Sequence, residues 1–389
     1  MNNSRSLCMK PAIALLLAVL LTSVSSSQKK CTIMVSNPIG IERTSETIEI
    51  QLQDLEKEAN WLDPNAMIVV NGTTHDTLVT QRLGTLLLFQ SDFGPNEEKA
   101  FFVQNAELER PPVNPLVSVK YILPRKDVAW ENDRIAYRIY GGPLAGKVKN
   151  GLDVWVKRVR YPIIDTWYGG DSLKGKQRVS YHVDHGEGAD MFEVGGSLGA
   201  GACALMTDSV LHQTGLFAAQ TIAANGPVRT QFMVTYDNDS IDRKPYREEK
   251  IYSLDAGHNL NRIEVRYSGP AILPRLTIAA GLVKRKNTVH YSDSDGAWLS
   301  LWGQINDDTT NGYLGIGVVF PKKSFETVKE DSTHYLIIGT TESTTAFTYY
   351  AGAGWTRSGD FAGVSDWNKH LSETALKIQH PLSVTVKAE

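Results

Sequence analysis

The chain has 389 residues, 42% of them hydrophobic, with 40 Lys+Arg against 43 Asp+Glu and a formal net charge of −3. That length allows a large core, as one big β domain or two smaller ones. The basic residues are scattered rather than clustered, so nothing favours nucleic acid as a partner.

The N-terminus reads as an export signal. Residues 1–10 hold Arg5 and Lys10 and no acid, residues 11–21 are the apolar run PAIALLLAVLL, and Ser23 and Ser25 fit the small-x-small cleavage rule. Residues 1–27 are therefore expected to leave, and the mature chain to be periplasmic or secreted. The apolar run is shorter than the about 20 residues of a membrane-spanning helix, and no later stretch is apolar for that long, so no membrane span is expected. Loss of Arg5 and Lys10 takes the formal charge from −3 to −5. Cys31 and Cys203 remain after the leader. They could pair in an oxidising compartment, although Cys203, in GAGACALM, reads more simply as a buried thiol.

Strand signals then dominate. TIEIQLQDL, AMIVVNG, TLLLFQSDF, RIAYRIYGG, LDVWVKRVRY, QFMVTYDND, NRIEVRYSG, WLSLWGQI, YLGIGVVFP and HYLIIGTT alternate or are β-branched and aromatic, and turn residues bound most of them. Helices are expected only over 207–220 and 367–379, where Trp367, Leu371, Ala375 and Ile378 fall near 3.6 spacing. Without βαβ alternation the chain reads as mostly β, built of packed antiparallel sheets with few short helices. A proline-containing stretch at 108–127, with Pro111, Pro112 and Pro115, divides a possible N-terminal β layer (28–110) from a main body (120–389).

The densest polar cluster is YHVDHGEGADMFEVGG, residues 181–196. His182, Asp184, His185 and Glu187 are its catalytic candidates, with Asp190 and Glu193 close by. Acid–base chemistry on a sugar needs a positioned proton donor and a second group to orient it. The alternative is a polar turn with solvated charges. His and carboxylates also suit Zn²⁺ or Ca²⁺, but no standard ligand spacing appears, and no cofactor or metal is expected. Alternation puts Arg134, Ala136, Arg138 and Tyr140 on one strand face, with Ile135, Tyr137 and Ile139 on the other. Arg134, Arg138 and Arg158 are candidate clamps for a carboxylate. Tyr140 shares the arginine face, Trp167 and Tyr168 are candidate stacking platforms for sugar rings, and Trp355 lies in a glycine-containing string that could approach a ligand. For each, an ordinary packed or salt-bridged position competes. GGSLGAG, residues 195–201, lacks the Lys-Ser/Thr of a phosphate loop and reads as tightly packed backbone.

AWENDRIAYRIYGGPL, NGLDVWVKRVRYPIIDTWY, YHVDHGEGADMFEVGGSLGAGACAL and YYAGAGW, with VSNPIGIERTSETIEIQL and LLLFQSDFGPNE earlier, resemble the bacterial family called domain of unknown function 4861. The resemblance covers nearly the whole mature chain. It implies a large antiparallel β-sandwich similar to that of galactose mutarotases, and a place in the use of uronic-acid polymers such as pectin and ulvan. It further implies a glycoside hydrolase that removes a 4,5-unsaturated uronyl residue left by a lyase. A polysaccharide lyase, a mutarotase-like epimerase and a non-catalytic carbohydrate-binding protein are the alternatives. In each case the partner is an oligosaccharide or polysaccharide.

Overall fold

The computed structural model describes residues 29–106, 115–169 and 180–388. The expected leader, Pro111 and Pro112 lie outside them. Every strand pairing between the named strands is antiparallel, and three α-helices are described: α1 (Leu52–Glu58), α2 (Ile164–Gly169) and α3 (Val364–Gln379).

The N-terminal layer is a small sandwich with its own core. In Cys31–Ser36 every second side chain is buried, as a half-covered strand requires. Cys31, Ile33 and Val35 pack with Ile48, Ile50, Phe89, Phe101 and Val103. One sheet runs in the order Ser383–Ala388, Cys31–Ser36, Glu98–Asn105, Met67–Asn71, Thr77–Leu78, and the other in the order Arg43–Gln51, Leu86–Phe93, Thr80–Leu83. The C-terminal strand thus belongs to the N-terminal layer, with Cys31 opposite Ala388.

The main body packs an eight-stranded sheet, which runs from Ala219–Asn225 to Thr288–Asp293 at its edges, against a five-stranded sheet centred on Arg275–Val283. Their inner faces share one core, in which Cys203, Ile278 and Ile337 meet Phe232, Ile263, Tyr349 and Ile316. Cys31 and Cys203 are both free and buried, and they sit in separate cores. A further five-stranded sheet, ordered Gly188–Ala189, Asp153–Lys157, Ile135–Ile139, Asp127–Glu131, Ser118–Ile122, adds Tyr137 and Val154 to that core from one face.

The outer face of the eight-stranded sheet carries α3. Gly315, Gly317 and Gly354 make room for it: a Cβ at these positions would stand 2.6 Å from Trp367, 2.7 Å from Leu371 and 2.8 Å from Trp367. α3 confirms the expected C-terminal helix and begins three residues before its expected start. The helix expected over 207–220 is absent. Asp208 and Ser209 both take positive φ and turn the chain tightly between strands Ala200–Thr207 and Val210–His212. TIEIQLQDL likewise leaves the strand at Gln51 and winds into α1, whose buried Leu52 and Leu55 close the N-terminal core.

Candidate functional site

Residues 181–187 of the cluster form a partly exposed rim, while Gly188 to Phe192 turn inward and are buried. Asp184 accepts hydrogen bonds from the backbone N–H of Gly186 (2.8 Å) and Gly188 (3.1 Å) and from Arg158 (3.2 Å), and Arg357 stands 3.3 Å away. Burial works to raise its pKa, but these donors outweigh burial and hold it below the usual carboxylate value. Asp184 is therefore an ionised anchor and lacks the proton of a general acid. Glu187 accepts from Tyr161 Oη (2.8 Å) and Trp167 Nε1 (3.1 Å). The His182 side chain is 59% exposed and meets the Asp190 carbonyl at 2.9 Å, and His185 is exposed. Arg134 and Arg160 share Asp360, with Arg160 reaching it at 2.8 and 3.0 Å. The structure brings Asp184 together with Arg158 at the surface.

Several expected ligand-binding residues are buried instead. Arg138 is 6% exposed, bonds Asp153 (2.7 Å), Asp190 (2.8 Å) and Tyr140 Oη (3.2 Å), and stacks on Tyr140 and Trp155. Burial pushes Asp153 up to about 7 against the pull of Arg138, with Asp190 adding to the rise, and raises Asp190 as well. Trp167 and Tyr168 pack on Trp155. Trp355 is 1% exposed and donates from Nε1 to the Asn311 carbonyl (2.8 Å). Arg138, Tyr140, Trp167, Tyr168 and Trp355 are thus internal, not a clamp and platforms. Tyr140 and Trp355 belong to the core of the main body, whereas Trp167 and Tyr168 are internal because the segment after Asp153–Lys157 folds back over its own sheet through α2. Glu131 fixes that return: it accepts from the N–H groups of Ile163 and Ile164 at 2.9 Å and pairs with buried Lys157 at 2.6 Å.

A cleft of about 800 Å³ lies elsewhere, between strand Arg43–Gln51, the outer face of the eight-stranded sheet and α3. Glu46 and Glu49 come from the first, Asp255, His258, Arg262 and Tyr350 from the second, and Lys369, His370 and Lys377 from the third. Arg229 ties the layers together by bonding Asp255 (2.5 and 2.8 Å) and Glu49 (2.7 Å). Burial raises the Asp255 pKa, but Arg229 more than reverses it and keeps the carboxylate ionised. His258 Nε2 lies 2.8 Å from the Ser45 carbonyl. Arg262 holds Glu264 at 2.7 Å and stays 36% exposed. Burial pushes His370 down to about 3, with Lys377 and His258 adding to the effect, so its imidazole is neutral near pH 7. Glu46 Oε2 and His370 Nε2 are buried without a hydrogen-bond partner.

The sequence reading passed over Glu46, His258, Arg262 and His370. Their available signals were slight: a His-Asn pair between two strands, and charges on alternate positions of NRIEVRYSG, which also describe a solvated sheet face. Among the described residues no group of three or more His, Cys, Asp or Glu is placed to hold a metal, and no helix is long and apolar enough to cross a membrane.

The fold is shared with solved glycoside hydrolases. A glycosyl hydrolase family 38 protein from Enterococcus faecalis superposes with a TM-score of 0.51 at 12% identity, over 92% of this chain and 47% of its own. An α-mannosidase from Enterococcus faecalis V583 gives 0.50 at 10% identity, over 92% and 46%. The chain therefore spans about half the length of these enzymes. "Uncharacterized protein P7" of Formosa agariphila is 29% identical over 408 residues, 97% of this chain and 100% of that protein. The sequence model of one family matches residues 35–384, and the chain belongs to that family, described as a domain of unknown function (DUF4861).

Proposed function

We propose that the chain is a carbohydrate-active enzyme, a glycoside hydrolase that takes short uronate-bearing oligosaccharides into the cleft beside α3. The observation that carries the reading is the pair of orphaned polar atoms, Glu46 Oε2 and His370 Nε2, on two elements of one cleft. Each buried polar atom left unpaired costs about 1–3 kcal/mol, and a sugar hydroxyl or glycosidic oxygen supplies the missing bond. The volume of about 800 Å³ falls within the roughly 300–1,000 Å³ of small-molecule sites. The architecture shared with family 38 hydrolases supports a sugar as the ligand.

In this reading Glu46, which Arg43 approaches at 3.4 Å, takes up a proton and passes it to the leaving oxygen, His258 accepts the proton of the attacking water, and neutral His370 hydrogen-bonds the sugar. Arg262 faces the uronate carboxylate. The favoured substrate is an oligosaccharide ending in a 4,5-unsaturated uronyl unit. The enzyme works outside the cytoplasm, on the strength of the leader pattern in residues 1–27, and its exported form should begin between Val24 and Lys30 by mass spectrometry.

The test uses the protein as its host exports it and lyase digests of pectin, ulvan or glycosaminoglycan. Hydrolysis of the unsaturated unit removes its ultraviolet absorbance. Glu46→Gln should slow turnover by about 10²–10⁴-fold, the usual share of acid–base catalysis, while substrate still binds. Wild type that leaves every oligomer intact defeats the reading. Absorbance that rises instead would mark a lyase, for which Tyr350, His258 and Arg262 in the same cleft offer a base and a charge-neutralising arginine.

A further inference from the structure

We propose that the arginine rim beside the cleft is a second binding site, a surface anchor for an anionic polysaccharide that carries carboxylates or sulfates. Four arginines converge there from separate segments: Arg134 before strand Ile135–Ile139, Arg158 and Arg160 after strand Asp153–Lys157, and Arg357 in the short 3-10 turn Thr356–Ser358. Two carboxylates organise them. Asp184 meets Arg158 and Arg357, and Asp360 meets Arg134 and Arg160. Arg160 also donates to the Ser358 carbonyl (3.3 Å), which joins the two pairs into one surface.

The layering decides what this surface presents. The acids lie underneath, with side chains 4% (Asp184), 11% (Asp360) and 13% (Asp133) exposed. The four arginine side chains lie above them, at 32% to 44% exposure, although Nε of Arg134 is buried. Counted by charge the rim is close to neutral, but its outward face is made of arginine N–H forks, and the buried acids hold them in place before any ligand arrives. Arginine offers paired donors that match a carboxylate or sulfate. Tyr161, 53% exposed and tied to Glu187, stands at the edge as an apolar ring face for a sugar. The rim also adjoins the cleft. Asp133, which meets Arg134 at 3.3 Å, accepts a hydrogen bond from the N–H of Gly257, a cleft-lining residue next to His258. Rim and cleft are thus linked through the bond between Asp133 and Gly257. The formal charge of −3 gives no long-range field for a nucleic acid, so recognition rests on the local forks. This site does not require the chemistry to occur in the cleft.

Affinity electrophoresis of the full-length protein in gels containing polygalacturonate, dextran sulfate or neutral dextran tests the site. Wild type should be retarded by at least one polyanion and not by dextran, and added salt should weaken the retardation. The polyanion that binds tighter identifies the anion. Arg158→Gln/Arg160→Gln should raise the dissociation constant at least tenfold. Arg247→Gln, which removes an exposed arginine paired with Glu249 outside the rim, should leave it unchanged, and circular dichroism should show all three proteins folded. Equal binding by the double variant, an equal loss in Arg247→Gln, or equal retardation by single-stranded DNA of matched charge overturns the proposal.

Discussion

Lys157→Met probes the buried device that folds the rim segment back over its sheet. The Lys157 and Glu131 side chains are 0% and 1% exposed, and Nζ donates to Glu131 Oε2 (2.6 Å) and to the Asn132 carbonyl (2.7 Å). Removing the ammonium leaves a carboxylate in the interior with only the Ile163 and Ile164 N–H groups for partners. Breaking a buried pair from one side costs about 3–5 kcal/mol, and those two N–H groups should keep the loss near the low end. Glu131→Gln alone leaves the ammonium uncompensated and should cost a comparable amount. The double variant removes both charges and keeps an amide oxygen over the N-terminus of α2, so it should recover much of the loss. Urea unfolding of the wild type and the three variants gives the cycle, with a coupling energy of about 2 kcal/mol or more expected within the 0.5–3 kcal/mol range of contacting pairs. Strictly additive losses, or single variants within 1 kcal/mol of wild type, would show that the pair does not hold this layer.

The pH dependence of stability contains two opposed parts. Asp153, raised to about 7, binds its proton more tightly when folded, so its contribution is lost as pH rises through that value; His370, lowered to about 3, loses stability as pH falls below its unfolded value of 6.5. In a His370→Gln background the melting temperature should therefore fall between about pH 5 and pH 8, and a rise would contradict the burial of Asp153. Trp367→Ala empties the seat over Gly315 and should cost about 3–5 kcal/mol, read by urea unfolding, together with loss of ligand binding in the cleft that α3 walls. A loss below 1 kcal/mol would mean that α3 is held elsewhere. Asp184→Asn should leave the fold intact and lower turnover little, since the acid is an ionised anchor. A fall of about 10²-fold or more, the mark of acid–base catalysis, would return the chemistry to the rim.

The sequence was most informative where structure depends on neighbours along the chain. Alternation in WLSLWGQI and NRIEVRYSG identifies strands because the side-chain period of a strand is local, and the spacing of Trp367, Leu371 and Ala375 marks α3 for the same reason. The same alternation assigns Arg138 to the face it occupies, opposite Tyr137. It cannot show that α2 returns to cover that face, because the cover is set by Glu131 bonding to Ile163 and Ile164 more than thirty residues on. The pairing of Cys31 with Ala388 is further still from local pattern. A site obeys the same limit. His182, Asp184, His185 and Glu187 stood out because they are dense along the chain, yet density there reflects a turn whose N–H groups and arginines consume the charge of Asp184. Glu46 and His370 are 324 residues apart, each unremarked in its own segment. What joins them is one unsatisfied atom each, Glu46 Oε2 and His370 Nε2, in the lining of the same cleft, and an unmet hydrogen bond exists only once the fold has placed every other donor and acceptor. A sequence can show where polar groups are many, but only the packed structure shows where one has been left unsatisfied.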